Sequence, residues 1–102
     1  MAQFVKVASA GELAPGSAKQ VEVNGKTIAL FNLDGNYFAI GNECTHRGGP
    51  LAEGYVEGES VTCPWHGAQF SIKTGTVEAL PAAKGVAKYN VRVQGNDVEV
   101  EV

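Results

Sequence analysis

Apolar and polar side chains alternate with a period of two along most of this chain, in short runs broken by turn residues. Phe4 to Ala8 predicts a first strand. Ser9 and Glu12 stand at capping-box spacing, but Pro15-Gly16 follows at once, so any helix there is a single turn. Ala18 to Val23 and Lys26 to Leu33 are joined by Asn24-Gly25, a two-residue hairpin signal. Asp34-Gly35 marks a second tight turn, and Asn36 to Ile40 continues the meander. From Gly41 to Leu51 the alternation fails, and Gly48-Gly49-Pro50 opposes regular structure. Glu59 to Cys63 and Gln69 to Ile72 predict strands, with Thr74-Gly75 as a turn before Val77. After Pro81 the alternation returns: Val86 to Val93 reads as one long strand, Gly95-Asn96-Asp97 as a turn, and Val98 to Val102 as a closing strand. No stretch carries the period of a long amphipathic helix. The pattern predicts an all-β antiparallel fold in which a regular framework at both ends brackets an irregular insert, about 41–72. Irregular segments of that length are usually functional or disordered.

Composition narrows the class without changing that picture. The 102 residues suffice for one domain, 1–102, and the 13 glycines suit a chain of many turns. The net charge is −3 and no run of Lys or Arg occurs, which argues against nucleic acid or an anionic membrane as partner. The N-terminus lacks the basic and apolar segments of a signal peptide, and no apolar run is long enough to span a bilayer. These features predict a cytoplasmic protein with no membrane attachment.

Chemistry concentrates in the insert. The chain has two cysteines and two histidines, and all four fall in Cys44-Thr45-His46 and Cys63-Pro64-Trp65-His66, with 16 residues between the clusters. Three readings compete. A disulfide between Cys44 and Cys63 would be rare in the cytosol and leaves the histidines unused. A structural zinc site of two Cys and two His usually pairs its ligands two to four residues apart, often with both Cys in one pair. Here each pair mixes a thiol and an imidazole. A 2Fe-2S cluster makes sense of the mixed pairs, because each loop then reaches both irons, thiolates on one and imidazoles on the other. Two neutral imidazoles in place of thiolates make the cluster less negative and raise its potential.

Cys-x-His followed by Cys-x-x-His at this separation resembles the Rieske iron–sulfur motif. The neighbours strengthen the likeness: Gly67 after the second loop, then Gln69-Phe70 and Thr74-Gly75, and Leu80-Pro81-Ala82, which is similar to the proline-bearing loop that covers the cluster in Rieske ferredoxins. The motif spans about Asn42 to Ala82. The resemblance implies a two-subdomain antiparallel β fold, with a cluster-binding part at about 41–82 and a base formed by the remainder. It implies one 2Fe-2S cluster held by Cys44, His46, Cys63 and His66. Rieske subunits of respiratory complexes carry an extra cysteine in each loop, where this chain has Gly49 and Trp65. They also carry a Ser and a Tyr where it has Ala68 and Phe70. Without those hydroxyls a low potential is expected. Neither a second iron site nor a flavin or nicotinamide fingerprint is present, so the chain reads as an electron carrier and not a complete enzyme.

The implied function is a ferredoxin passing single electrons from a flavin-dependent NAD(P)H reductase to a terminal oxygenase. A small Rieske-like subunit of an assimilatory nitrite reductase is the alternative, and a zinc-bound structural module a third reading. Around the ligands, Trp65 suits either shielding of the cluster or contact with a partner, and Arg47 either a solvated loop or docking. Gly48, Gly49 and Gly67 suit close backbone approach to the sulfides. Pro64 and Pro81 would stiffen the loops. Glu43, Glu53, Glu57 and Glu59 would steer the carrier onto a basic partner. The free N–H of each ligand histidine would make the potential fall at alkaline pH.

Overall fold

The computed structural model describes residues 3–9, 11–43, 49–65, 67–79 and 85–101. Among the described residues eleven strands run in order β1 (Phe4–Ser9), β2 (Ala18–Val23), β3 (Lys26–Leu33), β4 (Asn36–Gly41), β5 (Tyr55–Glu57), β6 (Ser60–Thr62), β7 (Gln69–Ser71), β8 (Val77–Ala79), β9 (Lys88–Tyr89), β10 (Val91–Gln94) and β11 (Asp97–Glu101). The only helical stretch among the described residues is a 3-10 turn, Leu51–Glu53. No helix among them is long and apolar enough to cross a membrane.

All strand pairs are antiparallel and form three sheets, ordered β1-β11-β10, β2-β3-β4-β9 and β5-β6-β7-β8. The middle sheet explains the other two. On β3, Ile28, Ala29, Leu30 and Phe31 are all fully buried. Successive side chains on a strand face opposite sides. Ile28 and Leu30 therefore pack with Val21, Val23, Ala39, Val98 and Val100, against the sheet of the two chain ends. Ala29 and Phe31 pack with Ile40, Leu51, Val61, Phe70 and Ile72, against the β5–β8 sheet. A strand covered on both faces loses the apolar–polar alternation and becomes a continuous apolar run. β4 pairs with β9, so the β5–β8 sheet is inserted between two neighbouring strands of the middle sheet.

The local turn signals behave as their chemistry requires. Asn24 and Gly25 have φ of 50° and 77°, and Asp34 and Gly35 have 53° and 90°, the positive values of type I′ hairpins. Other expectations change. The long strand 86–93 breaks at Asn90: Lys88 and Tyr89 pair with β4, whereas Val91 to Gln94 pair with β11 in a different sheet. Asn90 holds the crossing point, since its carbonyl accepts the Glu101 N–H and its Nδ2 donates to Glu101 Oε1, both at 2.8 Å. Asp97 belongs to β11 opposite Gln94, so the turn is Gly95-Asn96 alone. β5 was not foreseen, because three residues between Gly54 and Gly58 carry too short a pattern. The insert thus carries three short strands, β5, β6 and β7, with the 63–68 loop between the last two. No helix follows Ser9: the Glu12 N–H donates to Ser9 O and the Ser9 N–H to Glu12 Oε1, both at 3.0 Å, which closes a turn. Ala10 and Val102 lie outside the described residues.

Candidate metal centre

The second ligand loop leaves β6 and returns on β7. Alternation along β6 turns Val61 and Cys63 inward and leaves Thr62 part-exposed. Thr62 pairs with Gln69, and one step further the Cys63 N–H donates to Ala68 O at 2.7 Å. The Gly67 N–H donates to Cys63 O at 3.1 Å, with Gly67 at φ 80°, a conformation suited to glycine. The loop 63–68 is thus closed at its neck. Cys63 is 1% exposed and lies in the core formed by Leu51, Ala68 and Phe70.

The first ligand loop is closed in the same way. Glu43 and Pro50 form an isolated antiparallel bridge across it. Beneath that bridge sits Asn42, 3% exposed, with each of its polar groups partnered. Its N–H donates to Thr27 O at 3.1 Å and its carbonyl accepts the Leu51 N–H at 2.7 Å. Its Oδ1 accepts the Ala52 N–H at 2.8 Å and its Nδ2 donates to Gln20 Oε1 at 3.1 Å. One buried residue so ties the returning loop to β2 through its side chain and to β3 through its main chain. Nothing in the local pattern marks Asn42, which precedes the first cluster by two positions and reads as loop.

The two necks meet at Gly49. A Cβ built on Gly49 would lie 2.7 Å from Cys63 Sγ and 3.1 Å from the Trp65 indole. A third segment, with Leu80-Pro81-Ala82, lies outside the described residues, but its flanks are held. Ala79 pairs with Gln69, and Val86 N–H donates to Gly75 O at 2.8 Å. Gly75 and Gly85 are packed so closely there that a Cβ on Gly85 would lie 2.5 Å from Gly75 O. Thr74-Gly75 is therefore more than a turn, because it seats the return of that segment.

Of the four expected ligands, Cys63 alone is described; Cys44, His46 and His66 fall outside the described residues, as do Thr45, Arg47 and Gly48. What is visible fits a sulfur-ligated metal group. Cys63 presents a buried thiol at the junction of two closed loops, and Gly49 leaves its Sγ free of side-chain crowding. Surface cavities of about 350, 300 and 280 Å³ open beside Phe38, Lys73 and Leu33, and Cys63 lines none of them.

These features define an antiparallel β protein with a buried cysteine where two closed loops meet, one leaving the middle sheet and one the inserted sheet. The model of the Rieske [2Fe-2S] domain matches residues 3–90, and the chain belongs to that family and carries one 2Fe-2S cluster. It is 38% identical over 99 residues to a biphenyl dioxygenase ferredoxin subunit of Pseudomonas sp. (strain KKS102), covering 96% of this chain and 91% of that protein. Among solved structures, the ferredoxin of carbazole 1,9a-dioxygenase from Nocardioides aromaticivorans IC177 superposes with a TM-score of 0.92 at 31% identity, covering 96% of both chains. A complex of reduced oxygenase and oxidized ferredoxin in carbazole 1,9a-dioxygenase gives a TM-score of 0.90 at 28% identity, over 95% of this chain and 91% of that one. A nitrite reductase small subunit from Mycobacterium tuberculosis gives 0.91 at 25% identity, over 100% and 96%. The all-β antiparallel architecture is that of Rieske ferredoxins. The chain is an electron carrier and not itself an enzyme.

Proposed function

We propose that this chain is the ferredoxin of a multicomponent oxygenase, with Cys44, His46, Cys63 and His66 as the ligands of its cluster. It takes electrons from a flavin-dependent NAD(P)H reductase and delivers them to a terminal oxygenase, in the cytoplasm. Residues 1–102 act as one domain, with about 41–82 binding the cluster. The likeness to a dioxygenase ferredoxin subunit across 96% of the chain is the observation that carries this reading. The 25% identity to a nitrite reductase small subunit is weaker support for that alternative.

The cluster, when bound, takes up and releases one electron. The chain's own residues hold it in a stiff cage. The Cys63–Ala68 and Gly67–Cys63 hydrogen bonds fix one loop, and Asn42 with the Glu43–Pro50 bridge fixes the other. A cage fixed in both redox states needs little rearrangement when the charge changes by one. Burial of Cys63 keeps water from its own sulfur. The donor set of two thiolates and two imidazoles suits the Rieske form of the cluster.

The test begins with the purified protein. Iron and labile sulfide in equal amounts, with both lost in Cys44→Ser and Cys63→Ser, support the ligand set. Zinc in place of iron would overturn it. Reconstitution with NADH, a flavin reductase and a ring-hydroxylating oxygenase should give turnover that depends on this chain. Turnover only with a sirohaem nitrite reductase would move the assignment to the alternative.

A further inference from the structure

We infer that Gly49 and Trp65 form a size-matched brace between the two ligand loops, which makes Trp65 a positioning residue for the Cys63 sulfur; this rests on the proposal that Cys63 is a cluster ligand. The two hydrogen bonds at the neck of the second loop fix its main chain. They do not fix the side-chain torsion of Cys63, which is set by what Sγ touches. On one side Sγ meets the apolar core of Leu51, Ala68 and Phe70. On the other it meets Gly49, where an added Cβ would approach to 2.7 Å, closer than real Cβ contacts come. The same Cβ would lie 3.1 Å from both Cγ and Cδ2 of Trp65. The root of the indole therefore stands in tight contact range of a side chain at 49, and the sulfur would have to shift for one to fit.

Trp65 is nevertheless 56% exposed. Its Cγ and Cδ2 lie beside Gly49. A tryptophan kept only to meet a partner would not need its root against Gly49. Pro64, with its fixed φ, precedes it and limits how the loop can re-aim the ring. Well-packed neighbours of a ligand hold it in the geometry that its metal requires.

The test compares the holo-protein with Trp65→Ala, Trp65→Phe and Gly49→Ala. Each is measured for iron and sulfide per chain, for the electron paramagnetic resonance spectrum of the reduced form, and for the rate of colour loss in a chelator. Trp65→Ala and Gly49→Ala should bleach about ten-fold faster or more, with a shifted spectrum. Trp65→Phe keeps a ring against Gly49 and should stay near the native rate. Trp65→Ala bleaching at the native rate with a native spectrum overturns the brace. If Trp65→Ala cannot be isolated with a cluster, refolding with added iron and sulfide decides. Full loading of Trp65→Phe supports the brace, and its failure beside Trp65→Ala overturns it. A native protein that holds no iron or sulfide would instead sink the ligand assignment. A native cluster with unaltered variants sinks only the brace.

Discussion

Asn42 shows how much of this site rests on a single residue with no ligand chemistry of its own. Its side-chain amide joins β2 to the return of the first ligand loop while almost fully buried. Removing a buried partner leaves other polar groups unsatisfied, at a cost of about 1–3 kcal/mol. Asn42→Ala should lower Tm by on the order of 4–8 °C for each kcal/mol lost, and calorimetry of the holo-protein reads this directly. An unchanged Tm would mean that water replaces the lost contacts. Ala68 and Phe70 make the opposite point, because they matter through what they lack. Both are fully buried in the core that holds Cys63, and neither brings a hydroxyl to it. The reduced cluster carries more negative charge and gains less stabilisation there. Its potential should therefore lie near the low end of the range of about −150 to +300 mV, as a redox titration would show.

At the scale of elements, β3 separates two cores that can be perturbed one at a time. Phe31 faces the β5–β8 sheet, and Leu30 faces the sheet formed by the chain ends. Truncation to Ala costs about 3–5 kcal/mol for a buried Phe and about 2–5 for a Leu. The consequences should differ in kind. Phe31→Ala should speed colour loss well below its unfolding temperature, whereas Leu30→Ala should keep its colour until it unfolds. Equal bleaching of the two variants would show that the cores are not separable. The turn after β1 has a pH dependence of its own. The Lys19 ammonium, and then the Ser9 N–H, hold the exposed Glu12 carboxyl below its ordinary range. A carboxyl so lowered stabilises the fold above its unfolded pKa, and the contribution disappears as pH falls through the folded value. Acid unfolding of Glu12→Gln should lack that component, and an NMR titration of Glu12 should show a midpoint below that of a free glutamate.

For the whole molecule, charge is distributed unevenly. The ion pairs among the described residues are Lys6–Asp97, Lys19–Glu12, Lys73–Glu59 and Arg92–Glu99. Of the acids expected to steer docking, Glu59 is taken up by Lys73. Glu43, Glu53 and Glu57 are exposed and enter none of these pairs. They border the first ligand loop and the β5 edge and add negative charge there. Electron-transfer rates with a basic partner should fall as salt rises, because screening acts over about 10 Å at 0.1 M. Replacing the three acids together with Gln should flatten that dependence in stopped-flow measurements, and a native rate indifferent to salt would remove them from docking.

How much was legible follows the range of each interaction. Hairpins at Asn24-Gly25 and Asp34-Gly35 depend on residues side by side, and the structure has them where the pattern predicts. The ligand types, their mixed pairing and the cluster they imply are likewise written in two short segments. The break at Asn90 was hidden because the period of two continues while the strand changes partners. β5 was hidden because three residues carry almost no period.

The sequence by itself therefore determined the chemistry: an all-β chain with two thiols and two imidazoles in mixed pairs, the donor set of a 2Fe-2S cluster. Tertiary structure alone decided that β4 and β9 are neighbours with a whole sheet inserted between them. It also decided that Asn42 is the peg under one loop, and that Gly49 meets Cys63 and Trp65 across the other. The division is physical. Turn preferences and ligand spacing act within a few residues, whereas strand partners and close packing depend on surfaces far apart in the chain that meet only when two cores form together.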